Sequence, residues 1–302
     1  MTTMATSNGG QSGQIPLLPG VEISGITPVD APTIVVPASH KFGKSCLVPT
    51  LFNWPGPGGM PLVLAWDHSG PDACAGMGYP VAHIKMKNQP GVNLFEKGNH
   101  VLDMIESNKR ADRFPYTSII VDCASTYGYA LFDEAKQAFP NMKDERKYYG
   151  IILPQMRVFF RRVIDLGLPN IWLSWLRESS QTSMGGIDLP GSFKNQLGGI
   201  AHMILILELR RIGQGQPGAD EDGNIRLLHT RPWMNCIAGG RYRLPEPCPP
   251  HLGYILDLIL GRTENPARLL PAVSTVAAVA TAAAPAAAPA TVPASTSFFA
   301  RT

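Results

Sequence analysis

The chain has 302 residues, with 26 Lys and Arg against 23 Asp and Glu, a formal net charge of +3. That balance is too mild to announce nucleic-acid binding by itself. The five cysteines, Cys46, Cys74, Cys123, Cys236 and Cys248, are odd in number and form no C-x-x-C pair, so they read as reduced, mostly buried thiols of an intracellular protein and argue against a cysteine metal site.

Residues 1–30 are rich in Gly, Ser, Thr and Pro and carry few charges; they are expected to be disordered, and they hold no basic region followed by an apolar stretch of the kind that marks a signal peptide. Order begins at the apolar, β-branched run 33–36, which has the character of a buried parallel strand. Directly after it comes Ala38-Ser39-His40-Lys41-Phe42-Gly43-Lys44-Ser45, then Cys46. This is the P-loop spacing G-x-x-x-x-G-K-[S/T], with Ala38 in place of the first glycine. A strand feeding such a loop presents backbone N–H groups to phosphate oxygens. Gly43 permits close approach of the backbone, Lys44 brings a compact positive charge to the β- and γ-phosphates, and Ser45 offers a hydroxyl to a magnesium ion. Ala38 to Cys46 are therefore the candidate nucleotide-binding residues; the rival reading is a Gly/Lys turn in a surface loop. Residues 46–52 are expected to form the first turns of a helix, with Pro49 near its start.

A second apolar run, 61–66, ends at Asp67 and His68. Ligands of open α/β sheets gather at the carboxyl ends of strands, so Asp67 is a candidate for orienting an attacking water; the alternative is a polar strand end facing solvent. Helix-like patterning follows at 101–110. The run 118–121 ends at Asp122, the candidate carboxylate that holds magnesium together with Ser45, or else a strand-end cap. Further helix-like segments lie at 129–138 and 150–166. A fourth run, 170–175, carries Ser174 and leads to Arg177, both candidates for sensing the γ-phosphate; the alternative buries this strand end with Trp172 and Trp175 in the core. The run 200–209, the Gly- and acid-rich residues 214–224 and the run 225–229 read as antiparallel strands appended to the sheet edge. Alternating strands and helices call for an α/β fold with a mostly parallel central sheet flanked by helices, and an antiparallel edge hairpin. The domain is expected over residues 31–265 and a disordered tail over 266–302, where Ala and Pro dominate; residues 272–284 are apolar but short, and Pro285, Pro289 and Pro293 make this tail a poor membrane span.

The four strand ends, in this order, resemble the RecA/RadA-like ATPases, in particular the compact RecA-like ATPases encoded by bacteriophages, some of which act in single-strand annealing and recombination. Ala65-Trp66-Asp67-His68, with Asp72 shortly after, is similar to the family's strand that ends in a catalytic carboxylate followed by His. Residues 171–177 resemble its sensor strand, with Ser174 and Trp175 in place of the usual types. Leu197-Gly198-Gly199-Ile200-Ala201 and the strand closing at Leu209-Arg210-Arg211-Ile212-Gly213 are similar to its second DNA-binding loop and the strand after it. The resemblance spans roughly residues 31–260. It implies a RecA-like P-loop NTPase using ATP and Mg2+, with Lys44, Ser45, Asp122 and Asp67 as its hydrolytic centre. It also implies single-stranded DNA near a mobile loop at 177–196, with Arg177 and Lys194 as its cations and Phe193 stacking on a base. It implies a homo-oligomer in the cytoplasm of a bacterial host, in which Arg231, Arg241 and Arg243 are candidates to reach a neighbour's active site. The family's N-terminal oligomerisation segment is not found in residues 1–30. The Ala/Pro tail is a candidate tether for a single-strand-binding protein. Two other functions fit the same residues: a nucleotide-dependent switch with little hydrolysis, suggested by Ala38 and Ser174, and a helicase or packaging motor. A small-molecule phosphotransferase is disfavoured, because no acceptor lid with clustered arginines is visible.

Overall fold

The computed structural model describes residues 30–66, 74, 93–180 and 184–262, together with the backbone of a strand at 82–85. The expected N-terminal and C-terminal disordered segments, and Asp67, His68 and Asp72, lie outside the described residues. The core is one sheet in the order β10-β7-β1-β5-β4-β2-β3, with β6 pairing β5, β8 pairing β1 and β9, and strand bounds Thr33–Ala38 (β1), Pro61–Ala65 (β2), Ala82–Lys85 (β3), Ser118–Asp122 (β4), Asn170–Arg177 (β5), Gly186–Asp188 (β6), Met203–Ile204 (β7), Ile206–Arg211 (β8), Asn224–His229 (β9) and Gly239–Gly240 (β10). The pairs β1–β5, β5–β4, β4–β2 and β2–β3 are all parallel. The hairpin β8–β9 is antiparallel, Ile206 opposite His229 through Arg211 opposite Asn224. The α/β class, the parallel sheet and the edge hairpin are thus as the sequence predicts.

Side-chain alternation along these strands separates two cores. Val35, Leu62, Leu64, Ile119, Val121 and Trp172 face one side. There they meet α1 (Leu94–Arg110), α2 (Ala124–Ala138), α3 (Arg146–Asp165) and α4 (Phe193–Ile200). Ile34, Val36, Ala38, Val63, Ala65, Ile120, Ile171 and Leu173 face the other side. It is covered by a 3-10 helix, Lys44–Leu51, and by α5 (Leu252–Ile259). Because both faces are covered, the strands read as continuous apolar runs rather than as alternating ones.

The helices start earlier than periodicity alone predicts. Asn93 caps α1, its side chain accepting the N–H groups of Phe95 and Glu96, so the helix begins at Leu94. The opening turns contain Gly98, Asn99 and His100, which dilute the apolar pattern. Residues 46–52 do not become an α-helix: Pro49 has no N–H to give and its ring crowds the carbonyl four residues back, and the segment settles as 3-10 turns over Lys44–Leu51.

The largest departure lies after β5. The expected mobile loop at 177–196 contains β6, which pairs back on β5 with Trp175 opposite Asp188, and the first turn of α4. Leu197, Gly198, Gly199 and Ile200 are helical rather than a loop entering a strand. Phe193 is 1% exposed and meets Phe160 edge-on at 4.4 Å, so it is a core residue and has no face to offer a base. The run expected over 200–209 is broken into β7 and β8, and β7 pairs parallel with β1 while β8 continues into the hairpin. At the end of β9, buried His229 lies between Glu208 and Glu246, 2.8 Å from each, and stacks on Trp233. Arg210 grips Glu208 through two nitrogens. Burial opposes ionisation of Glu208, but His229 and Arg210 outweigh it and hold its carboxyl below the usual range. This network fastens the hairpin to residues 230–248.

Candidate nucleotide-binding site

The loop after β1 is built by local backbone demands. Lys41 adopts φ 63° and Gly43 φ 82°, both left-handed, and the 3-10 helix starts at Lys44 with Gly43 as its N-cap. Gly43 is a position where a side chain is strained by backbone and by space, since a Cβ there would stand 2.7 Å from Arg226 Nε. The helix start adds its N-terminal dipole end to this turn, in which the Phe42 N–H donates to the Ser39 carbonyl at 3.4 Å.

Lys44 bends back over this turn, its Nζ donating to the carbonyls of Ala38 at 3.1 Å and Ser39 at 3.3 Å. Ser45 Oγ donates to Asp122 Oδ2 at 2.9 Å, although 77 residues separate them. The pairing has a topological cause. β5 lies between β1 and β4, so the ends of β1 and β4 are two strand spacings apart, about 10 Å. The 3-10 helix crosses that gap on the face of Ile120, and alternation puts Asp122 on the same face. Asp122 is 3% exposed at the carboxyl end of its strand. Trp66 donates its N–H to the Asp122 carbonyl at 2.6 Å, which brings the end of β2 alongside.

Cysteines crowd the same corner. Cys74 Sγ points at the Ser45 carbonyl at 3.6 Å, and burial, then Asp122 and Cys46, push its thiol up to about 11. Cys123, the residue after Asp122, is also pushed up, chiefly by burial. Both are protonated thiols at neutral pH and pack as small apolar groups. All five cysteines are free, four of them buried and Cys46 partly exposed.

Ser174 stands elsewhere. It pairs in register with Pro37 on β1 and shares the face of Trp172, opposite the 3-10 helix. It is fully buried and its Oγ has no hydrogen-bond partner among the described residues. The structure therefore does not bring it to the Ser45–Asp122 pair. The neighbouring strand end does approach the loop: the exposed His40 ring lies 4.9 Å from Trp175, which stacks on Tyr129 at 5.6 Å, and Tyr129 donates to Asp188 on β6. Arg177 donates to the Met184 carbonyl and, with Lys194, Asn195 and Ile237, lines a 220 Å³ cavity beside β6.

Arg241 lies at the opposite end of the sheet. Its backbone N–H donates to the carbonyl of His202, and His202 sits against Thr33, at the start of β1 rather than at the loop that follows β1. Within its own chain Arg241 is out of reach of Lys44. Arg231 and Arg243 are exposed.

One cation at the loop was not singled out in the sequence. Arg226, on β9, donates from Nε to the Phe42 carbonyl at 3.3 Å and pairs with Asp220 at 3.4 Å. The sequence shows it only as a polar residue alternating with Ile225 and Leu227. Its signal is the register of β9 on β8, and of Leu207 on Ala38, which tertiary structure sets.

Ser45 and Asp122 supply a hydroxyl and a carboxylate within 2.9 Å of each other, hard oxygen donors of the kind Mg2+ takes when it keeps most of its water. Among the described residues there is no group of three or more His, Cys, Asp or Glu placed to hold a metal by protein ligands alone, and no helix long and apolar enough to cross a membrane.

No protein-family model matches the sequence, and no curated protein matches it. Among solved structures, the chain is similar to a prototypical ATPase from the type III secretion system of pathogenic bacteria, at 11% identity over 59% of this chain and 52% of that chain, with a TM-score of 0.40. It is similar also to the assembled ATPase EscN from the type III secretion system of enteropathogenic E. coli, at 14% identity over 59% of this chain and 43% of that chain, again with a TM-score of 0.40. The chain thus spans about half the length of these structures, and no residue role is carried over from them.

Proposed function

We propose that the chain is a P-loop ATPase that binds ATP with Mg2+ and hydrolyses it. The observation that carries the reading is the Ser45–Asp122 hydrogen bond of 2.9 Å, formed beside a lysine folded over its own loop carbonyls. Those groups are the oxygen donors and the cation that a triphosphate with magnesium requires. Lys44 would exchange its carbonyl partners for phosphate oxygens, and Ser45 and Asp122 would hold the ion, which would supply charge neutralisation when bound. The loop amides and the 3-10 helix start bind the remaining oxygens. Catalysis here rests on positioning and charge stabilisation. Asp67, next in the chain after Trp66, is proposed to orient the attacking water.

The decisive measurement is ATP turnover of the wild type and of Lys44→Ala, with and without Mg2+ and single-stranded DNA. Turnover that needs Mg2+ and disappears in the variant supports the reading; turnover that survives the substitution sinks it. Tight ATP binding without turnover selects the switch reading, which Ala38 favours.

The cellular task is proposed from the sequence resemblance: DNA recombination or single-strand annealing, with a helicase or packaging motor equally open. DNA-stimulated unwinding or translocation separates the second from the first. Arg177 and Lys194, on the cavity beside β6, are the proposed phosphodiester contacts, without base stacking by Phe193. The chain is proposed to act as a homo-oligomer. Arg241, exposed and remote from its own loop, is proposed to reach a neighbour's site, as is Arg243; the alternative is a pair of solvated surface arginines.

A further inference from the structure

Arg226 is the least explained cation near the loop. It is half-buried, its side chain 29% exposed, and reaches the loop from the hairpin, 184 residues away in sequence from Phe42. Both of its contacts are long, 3.3 Å to the Phe42 carbonyl and 3.4 Å to Asp220 Oδ2. Contacts of that length and exposure are worth little. Among the described residues its Nη2 makes no hydrogen bond, and this nitrogen lies 3.3 Å from where a Gly43 side chain would begin. A guanidinium has five N–H donors and matches phosphate oxygens in pairs, so spare donors here stand over the turn that cradles phosphate. Asp220, by contrast, is fixed. Its Oδ1 accepts the N–H groups of Asn224 at 2.8 Å and Asp222 at 3.2 Å in the turn joining β8 to β9. The carboxylate is anchored by backbone, and the arginine is the partner that can move.

We propose that Arg226 is a second phosphate-binding cation of the nucleotide site, contributed by the same chain, which leaves Asp220 for the β- or γ-phosphate when a di- or triphosphate enters. The inference rests on the ATPase reading above. It makes the β8–β9 hairpin a reader of loop occupancy: the residue that binds phosphate sits on β9, β9 is zipped to β8, and β8 meets β1 where Leu207 pairs with Ala38. Gly43 then has two duties, a left-handed backbone and clearance for the guanidinium.

The test is the dissociation constant of ATP, ADP, AMP and inorganic triphosphate, measured calorimetrically on the full chain with Mg2+. Arg226→Ala is expected to weaken ATP and triphosphate at least tenfold, ADP less, and AMP not at all. Arg226→Lys keeps the charge without the fork and falls between. Asp220→Asn removes the charge that competes with phosphate for the arginine and is expected to tighten ATP severalfold. Melting temperatures of the nucleotide-free variants report folding; if Arg226→Ala fails to fold, Arg226→Lys and Asp220→Asn decide. Wild-type affinity for ATP in all folded variants, with Lys44→Ala abolishing binding, overturns this inference and leaves the ATPase reading standing. No ATP binding by the wild type, or equal binding by Lys44→Ala, overturns both.

Discussion

The loop at 38–45 and the segment at 178–200 both look, in sequence, like polar, glycine-bearing connections after an apolar strand. The first is a tight loop whose lysine folds over its own carbonyls, and the second contains β6 and α4, which pack on the core through Ile187, Phe193 and Leu197. The glycines that the sequence stresses in each, Gly43 and the pair Gly198 and Gly199, stand differently, whereas Gly186 and Gly191 of the second segment, at the start of β6 and just before α4, have φ 151° and 59°. Gly43 has φ 82° and lies against Arg226, so its place is dictated by backbone and clearance. Gly198 and Gly199 sit in α4, where a Cβ would find only the tip of Ile204 or open space. Glycine content therefore marks a connection only where a positive φ or a close approach needs it.

The strongest way to break this comparison is Phe193→Ala. As a core residue packed on Phe160, its truncation is expected to cost about 3–5 kcal/mol of stability in denaturant unfolding. A near-neutral result would return the segment to the surface loop the sequence suggested. Asp122→Asn tests the other region. It is expected to lower Mg2+-dependent turnover about 100-fold, roughly 2.7 kcal/mol of transition-state stabilisation, while nucleotide binding without Mg2+ persists. Equal loss with and without the metal would remove Asp122 from the ion's binding set. Gly43→Ala sharpens the contrast directly: about 1–2 kcal/mol of backbone strain is expected there. Gly199→Ala, in open helical space, should be neutral or slightly stabilising in the same melts.

The smallest expected effect is a pH dependence at the far end of the sheet. His202 Nδ1 accepts the N–H of Thr33 at 2.9 Å, and burial, then Arg241, hold its pKa below the usual histidine value. The folded state therefore resists protonation more than the unfolded chain. Stability from this contact is complete above about pH 6.5 and declines as pH falls through that value. His251, which accepts the Tyr254 N–H and whose pKa is lowered chiefly by burial, acts in the same direction. The melting temperature is expected to drop between pH 7 and pH 5.5, less steeply in His202→Ala and least in the His202→Ala/His251→Ala double variant. Parallel slopes in all three would assign the effect to other groups.

Much of the site was legible because its chemistry is local. A β-branched run, a glycine that must turn, a lysine and a hydroxyl in fixed order name the loop, and an apolar run ending in Asp names the carboxylate. Ser174 was misleading for a reason of parity. A strand end places successive side chains on opposite faces, so the residue on the loop's face is decided by register, and Ser174 fell on the face of Trp172. Arg241 is carried to the start of β1 by the path from β9 to β10, which no short stretch of sequence could show.

By itself the sequence determined the α/β class, the strand that feeds the loop, and the apolar run that ends at Asp122, because period, turn chemistry and charge at strand ends are properties of short stretches. Tertiary structure alone decided that β6 and one face of α4 pack on the core, that Ser45 meets Asp122, that Ser174 turns away, and that Arg226 lies over Phe42. Those outcomes depend on strand order and register, which are fixed by burial of both sheet faces and by contacts between residues far apart in the chain.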